Sequence, residues 1–493
     1  MIFPSFEEFL ALSKTANVIP VCKEVSADLD TPVSSFLKLR KDKYSFLLES
    51  VEGQEKIARF SFLGTKPYLV FRSKGDRIEI LRCGGKQSRA FTASSDPLME
   101  LKKLMSGFRP AQVKGLPRFS GGMVGYLGYD VARFFERLPD KNRDELGIPD
   151  SCFMLTELIL AFDHVNHTIK IISNCIIEGG LSAAAKRSLY RKAIARISEV
   201  ERQLRQPLKR TAARELKAPG KIKITSNFDK SGFCDIVNKA KNYIKKGDII
   251  QVVPSQRFKT RISKDPFDIY RDLRSLNPSP YMFFLTLDDT TLIGASPELL
   301  VRCEDGICRT RPIAGTRRRG KDEEEDRALE AELLKDAKEK AEHLMLVDLG
   351  RNDLGRICRP GTVKVNEFMG VERYSHVMHL VSDVTGRLAK KFSAYECLRA
   401  CFPAGTVSGA PKIRAMEIIE ELENTRRGVY AGAVGYFSFS GAMDTCIAIR
   451  TILVKDGFAY VQAGGGVVAD SVPAKEYTET VNKAKALMEA IAR

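Results

Sequence analysis

A chain of 493 residues with 44% hydrophobic and 29% charged side chains has the composition of a folded globular protein, with apolar surface enough for two or more cores and no need of disulfide or metal staples. That balance excludes a disordered, collagenous or coiled-coil chain as a whole. A formal charge of +17 raises the question of an anionic partner, either nucleic acid or a small acidic substrate.

No stretch approaches the roughly 20 apolar residues of a bilayer-spanning helix. The start, MIFPSFEEFLALSK, puts Glu7 and Glu8 where a signal peptide would be basic or apolar, so a cytoplasmic protein without a membrane partner is expected. The eleven cysteines form no CxxC pair, and the two nearest in sequence, Cys397 and Cys401, lie in an apolar helical segment. Reduced, packed thiols follow. Between Lys186 and Lys230 there are 14 Lys or Arg against 4 Asp or Glu, so much of the charge sits where a helix end runs into a solvated linker. No zinc-finger or RRM pattern and no interleaved aromatic residues accompany it, which leaves a basic nucleic-acid-binding protein as a distant alternative.

In chain order, YSFLLESV from residue 44, RFSFLG, PYLVFRS and IEILRC read as short strands, the last two joined across Lys74-Gly75-Asp76 as a hairpin. Residues 181–206 have helical composition. The Pro- and Lys/Arg-rich stretch after them predicts a domain boundary, with residues 1–215 as an N-terminal domain and 216–493 as a second one. Helical FCDIVNKAKNYIKKG and the strand DIIQVVPSQRFKT follow, then strands YMFFLTL, TTLIGAS, ELLVRC and GICRTRPIAG. Lys321–Leu349 carries apolar residues at 329, 333, 337, 341 and 344, a helical spacing. The last third reads as strands GAVGYFSFS, DTCIAIRTILVK and FAYVQAGGG, then a helix from about Glu476 to Ala492. A G-x-V-G-Y pattern occurs at Gly122–Tyr126 and again at Gly432–Tyr436, a weak sign of an internal repeat. Antiparallel sheets decorated by helices, an α/β or α+β architecture, fit better than regular βαβ alternation.

Two carboxylate pairs at i, i+3 spacing, Glu339 with Glu342 and Glu476 with Glu479, each lie on one helix face. Alone they read as surface decoration; brought together they could hold a Mg²⁺ that keeps waters and takes oxygens from an anionic substrate. Gly464-Gly465-Gly466 follows an apolar strand and could offer backbone N–H groups to a carboxylate or phosphate, or could be a tight turn. Arg450, ending CIAIR, suits bidentate carboxylate recognition and equally a surface ion pair. Of five histidines, His376 and His379 share an apolar stretch, as a core pair or as one proton carrier beside a structural residue.

Taken together, PIAGT (312–316), EHLMLVDLGRNDLGR (342–356), SHVMHL (375–380), FPAGTVSGAPK (402–412), YAGAVGY (430–436), DTCIAIRT (444–451) and QAGGGVVADS (462–471) resemble the chorismate-utilising enzymes, and among them the large subunits of anthranilate synthases. The resemblance covers nearly all of residues 225–493 and, more loosely, the N-terminal half through LLES (47–50) and RFSFLG. It implies an antiparallel β-sandwich core surrounded by helices, with the chorismate site in residues 216–493. It also implies Mg²⁺ held by Glu342 and Glu479, with Glu339 and Glu476 close by or acting through water. Arg450 and Tyr430 would hold the enolpyruvyl carboxylate, and Gly464, Gly465, Gly466, Gly315, Thr316 and Thr406 would line the substrate. The implied reaction adds ammonia at ring C2 with loss of the C4 hydroxyl, then loses pyruvate. Glu298 matches the acid for the leaving hydroxyl, which requires a raised pKa, and His379 matches the histidine tied to the elimination.

Two positions select the branch. Isochorismate- and salicylate-forming relatives carry a water-activating lysine where this chain has Gln251, and aminodeoxychorismate synthases carry PIKGT where this chain has Ala314. Direct attack by ammonia survives, with an aminodeoxyisochorismate or aminodeoxychorismate synthase as the alternative. The resemblance further implies a glutamine amidotransferase subunit in trans, hence a hetero-oligomer, and feedback inhibition by tryptophan bound at Glu49, Ser50, Pro280, Tyr281 and Met282. The chain has no Trp, which agrees with an enzyme that is needed when tryptophan is scarce.

Overall fold

Strands rich in Val, Ile, Phe and Tyr dominate both halves of the chain, and in the computed structural model every ladder between them is antiparallel. The structure describes residues 2–40, 43–50, 59–83, 88–93, 96–208, 220–374 and 377–493. The expected boundary at 215/216 and His376 therefore lie outside the described residues, as does part of the basic stretch. Among the described residues, 22 strands are linked by ladders into one network.

Two long strands, Phe60–Lys74 and Ser151–Asp163, organise it. They pair with each other along most of their length, with a register shift between Pro67 and Leu69. Beyond that shift each belongs to a different layer. In one layer Ser45–Leu48 pairs with Phe62–Thr65, and the ladder continues through Tyr281–Leu287, Thr290–Ser296, Thr451–Lys455 and Phe458–Gly464 to Ser255–Arg261. In the other, Ser151–Leu155 pairs with Gly122–Leu127, and the ladder runs on through Ala433–Ser438, Met443–Ile447, Leu299–Glu304 and Ile307–Thr310 to Val377–Arg387. Phe46, Phe62, Val124, Tyr126, Met154, Phe283 and Leu285 fill the space between the layers, so alternate side chains of each strand build this core.

The helices cover the outer faces. Phe6–Leu12, Pro32–Leu39, Ala183–Leu204, Pro266–Leu276 and Pro473–Ala492 close one apolar cluster, and Pro97–Ser106, Ala337–Gly355 and Ala394–Cys401 close another. This is the expected β-sandwich surrounded by helices. The strand Tyr44–Glu49 is hydrogen-bonded on its other edge to Tyr281–Leu287, so the layers run through both halves of the chain. The two G-x-V-G-Y segments are neighbours: Gly125 faces Gly435, with Val124 opposite Tyr436 and Tyr126 opposite Val434. A Cβ on either glycine would sit within 2.0 Å of a neighbouring carbonyl oxygen, so close backbone approach fixes both.

Several expected elements are split. Lys321–Leu349 is not one helix: Glu323–Lys335 ends at Asp336, and Ala337–Gly355 begins there, because the Asp336 carboxylate accepts from Lys338 N and Glu339 N and caps a new helix. DIIQVVPSQRFKT breaks at Val253-Pro254, GICRTRPIAG at Arg311-Pro312, and DTCIAIRTILVK at 448–450. The final helix starts at Pro473 rather than Glu476, with proline at its first position. Among the described residues no helix is long and apolar enough to cross a membrane.

Candidate active site

The breaks that split the expected strands shape the site. Where Ala433–Ser438 begins and Met443–Ile447 and Phe458–Gly464 end, a cavity of about 660 Å³ opens between the strands and the two helices Ala337–Gly355 and Pro473–Ala492. Gln251, Glu298, Gly315, Thr316, Glu339, Glu342, His379, Thr406, Tyr430, Arg450, Gly464, Gly466, Glu476 and Glu479 all line it. Gly465 does not: its N–H donates to Pro254 O (3.2 Å), and a Cβ there would lie 3.0 Å from the Glu476 carboxylate. It shapes the wall rather than offering an N–H to the cavity, which corrects its expected place in the substrate site.

One helix brings in each carboxylate pair. Asp336 caps the first helix and also pairs with Arg317 of the strand Ile313–Arg318 (2.8 Å), and Arg317 reaches Glu339 at 3.5 Å. This arginine fixes Glu339 beside Gly315 and Thr316. The Glu339 carboxyl is raised by burial and by the neighbouring Glu342. On the second helix, burial and Glu479 raise Glu476, whose Oε2 is buried without a hydrogen-bond partner, while Glu479 meets Lys483 at 2.7 Å. Gln251 Nε2 donates to Glu342 Oε1 (3.2 Å). Among the described residues no three His, Cys, Asp or Glu side chains converge closely enough to cage a metal. Carboxylates crowded on one wall, with a buried oxygen left over, suit a hard cation held by one or two carboxylates and completed by water and substrate oxygens.

The opposite wall is cationic. Arg450 occupies the break after Met443–Ile447 with φ +49°, a left-handed conformation that costs a non-glycine residue free energy and that clusters at functional sites. Burial lowers its pKa, against the pull of Tyr430 and Glu479, and it forms no ion pair among the described residues. Tyr430 is pushed up to about 12 by burial, and its hydroxyl reaches the position a Gly464 Cβ would take, 2.7 Å away. A Cβ on Gly466 would likewise stand 2.5 Å from Gln251 Nε2. The two glycines thus admit the tyrosine and the glutamine to the cavity.

Between these walls stand the proton carriers. Glu298 is buried in the turn between Thr290–Ser296 and Leu299–Glu304, and desolvation raises its carboxyl to about 8, partly offset by the Thr406 hydroxyl and Lys483. It is therefore protonated at neutral pH. His379 Nδ1 lies 3.0 Å from Gly315 O and 3.0 Å from Thr316 Oγ1. A carbonyl only accepts, so Nδ1 carries the proton and Nε2 is left as a base. Burial lowers this imidazole's pKa, which keeps it neutral.

Sequence spacing did not reveal Lys483 or Arg427. Lys483 lines the cavity and donates to Gly464 O (3.0 Å); its signal was the i, i+4 step from Glu479. Arg427, 2% exposed, lies beneath the site. It donates to Glu423 (2.6 Å), Val253 O (2.6 Å) and Val407 O (2.7 Å) and stacks under Tyr430, 5.4 Å from the ring centroid. The segments of Gln251, Thr406 and Tyr430 all hang from this one guanidinium.

Glu49, Ser50, Pro280, Tyr281 and Met282 line a second, narrower cavity of about 60 Å³, together with Arg118, Arg302 and Asp444. Glu49 accepts from Tyr270 Oη and from Arg274 Nε (3.2 Å), and Ser50 Oγ is buried without a partner. Pro280 lines both cavities.

A fold of this kind, with a buried arginine and clustered carboxylates lining one cavity, is that of a chorismate binding enzyme, the family whose model matches residues 43–489. Anthranilate synthase component 1 of Acetivibrio thermocellus is 48% identical over 495 residues, covering 100% of this chain and 99% of that protein. The component 1 of Aquifex aeolicus is 50% identical over 490 residues, covering 99% and 97%. The crystal structure of anthranilate synthase component I from Streptococcus pneumoniae TIGR4 superposes with a TM-score of 0.77 at 38% identity, covering 94% of this chain and 99% of that one. The menaquinone-specific isochorismate synthase of Escherichia coli shares the fold, with a TM-score of 0.72 at 19% identity and 99% and 98% coverage. The chain belongs to the anthranilate synthase component 1 family.

Proposed function

We propose that the chain converts chorismate and ammonia to anthranilate and pyruvate, the first committed step of tryptophan biosynthesis. The observation that carries this reading is the cavity's polarity: a buried arginine without a protein counter-ion on one wall and four carboxylates on the other. A dicarboxylate satisfies both walls, one carboxylate on Arg450 and Tyr430 and the other on a cation. Glu342 and Glu479 would hold Mg²⁺, with Glu339 and Glu476 beside them, and the bound ion would neutralise the ring carboxylate. Gly464, Gly466, Gly315 and Thr316 line the substrate's path. Glu298, protonated at neutral pH, delivers a proton to the departing C4 hydroxyl, and neutral His379 takes a proton in the elimination through Nε2. Gln251, a neutral amide bonded to Glu342, cannot activate water, and Ala314 offers no nucleophile, so ammonia is the group that adds.

The ammonia comes from a glutamine amidotransferase subunit in trans, in keeping with the component 1 designation of the relatives, and the pair works in the cytoplasm. Residues 216–493 form the chorismate-binding domain, and residues 1–215 contribute the tryptophan effector site through Glu49 and Ser50, opposite Pro280, Tyr281 and Met282. The Glu49 carboxylate suits the amino group of the effector. Its cavity is narrow, so occupancy must displace the 280–282 segment, and Pro280 transmits that displacement to the substrate cavity.

The test is incubation of the purified chain with chorismate, Mg²⁺ and concentrated ammonium salt, followed by product identification. Anthranilate with pyruvate is expected. An amino-cyclohexadiene that keeps its enolpyruvyl group would move the chain to an aminodeoxyisochorismate or aminodeoxychorismate synthase, and isochorismate would overturn the argument from Gln251.

A further inference from the structure

Behind Glu298, away from the substrate cavity, lies a small side cavity of about 40 Å³. Glu298, Thr406 and Leu346 line both spaces. The remaining wall comes from Leu299, Leu300, Thr310, Arg311 and Pro312 of the adjoining strands and their turn, from Leu349, Gly350 and Asp353 of the helix Ala337–Gly355, and from the Cys401–Thr406 turn. It is mostly apolar, yet the Thr310 Oγ1 hydroxyl in it is buried without a hydrogen-bond partner, while the Thr406 hydroxyl faces the Glu298 carboxyl. A buried hydroxyl left unpaired costs free energy, and a space this size with polar partners holds about two or three waters. Gly350 helps keep it open, since a Cβ there would lie 3.0 Å from Thr310 Oγ1. At the far side Asp353, 6% exposed, pairs with Lys412 at 2.8 Å.

We propose that this side cavity is a proton conduit that reloads Glu298, with Thr310 and Thr406 holding the waters and Asp353 as its outer station. The inference rests on Glu298 as the acid. When Glu298 gives up its proton, the C4–O bond breaks, its electron pair leaves with the oxygen as water, and a carboxylate remains. That carboxylate is buried, and on its open side the reacting ring would stand between it and the rest of the cavity. A proton from bulk water therefore returns along the rear waters and restores the acid. The charged groups around the path are few: Arg311, paired with Glu372, lines the side cavity, Lys483 acts on Glu298 from the helix Pro473–Ala492, and Lys412 and Arg356 act on Asp353. Thr310 touches no substrate and acts as a positioning residue.

The experiment compares Thr310→Val, Thr310→Ser, Gly350→Ala and Glu298→Gln in the full chain with chorismate, Mg²⁺ and ammonium, in H₂O and D₂O. T310V keeps the side-chain shape and removes the hydroxyl. It is expected to lower kcat about tenfold, less than the roughly 10²–10⁴-fold of a whole proton-transfer contribution because Thr406 and Asp353 remain, with the KM for chorismate unchanged and a larger solvent isotope effect. T310S is expected to restore both readouts, and G350A, which narrows the space with Thr310 intact, to reproduce the defect. Unchanged kcat and isotope effect in folded T310V, with E298Q inactive, would overturn the conduit and leave the acid in place. An active E298Q would overturn the acid itself, and the conduit with it.

Discussion

Removing the guanidinium of Arg427 isolates the groups that hold the site from below. In Arg427→Met the stem volume is kept, but Glu423, itself buried and accepting from Ser255 N and Oγ at 2.8 Å, loses its counter-charge, and the carbonyls of Val253 and Val407 lose their donor. Breaking one side of a buried pair costs about 3–5 kcal/mol, and each orphaned carbonyl adds about 1 kcal/mol. The sum is roughly 5–7 kcal/mol. At about 2.1 cal/mol/K per residue, a chain of this length has an unfolding entropy of about 1 kcal/mol/K, so the expected fall in Tm is about 5–7 °C. Calorimetry measures it. The double variant Glu423→Leu/Arg427→Met, which removes both charges, should melt above Arg427→Met alone, because no uncompensated carboxylate remains. Chorismate KM should rise in the single variant, since the Tyr430, Thr406 and Gln251 segments lose their common anchor. A Tm within 1 °C of the parent for Arg427→Met would refute the reasoning, whatever the activity.

Three further outcomes are expected. Glu298 has its pKa raised from 4.5 to about 8, so between these values the folded chain binds more protons than the unfolded one. Its contribution to stability is full below about pH 4.5 and falls until pH 8, and Glu298→Gln should flatten that slope in melting curves; kcat should also fall above pH 8 in the parent. Glu342→Gln should abolish Mg²⁺-dependent turnover while circular dichroism and Tm stay near the parent, and retained turnover would remove Glu342 from the cation site. Ser50→Leu fills the narrow second cavity and should shift the tryptophan inhibition curve by at least tenfold, and an unchanged curve would count against the effector site.

What the sequence disclosed, and what it hid, follows from the range of each signal. Strand alternation and the Lys74-Gly75-Asp76 hairpin are local, and they held except where breaks cut three expected strands and where RFSFLG and PYLVFRS join into the single strand Phe60–Lys74. Helical spacing at 329, 333, 337, 341 and 344 is also local, but it runs unbroken through Asp336, where a competing side-chain cap starts a second helix. The carboxylate pairs were legible as faces of helices, yet only the family motifs brought two separate helices to one cavity. Lys483 shared the spacing of its helix and was overlooked. Arg427 had only the i, i+4 step from Glu423 as a signal, and nothing local marks its other partners, which lie on strands and turns up to 174 residues away in sequence. The double role of Pro280 is a matter of wall thickness, which no spacing records.

The pairing of Tyr44–Glu49 with Tyr281–Leu287, and of Gly122–Leu127 with Ala433–Ser438, also bears on how the chain is made. A ribosome adding about 5–20 residues per second releases the first strand of each pair tens of seconds or less before the second. Through that interval the nascent N-terminal half carries two apolar strand edges with no partner, the kind of edge that recruits other chains. Overexpression is therefore expected to yield aggregates seeded by the first half, even though the finished sandwich pairs both edges.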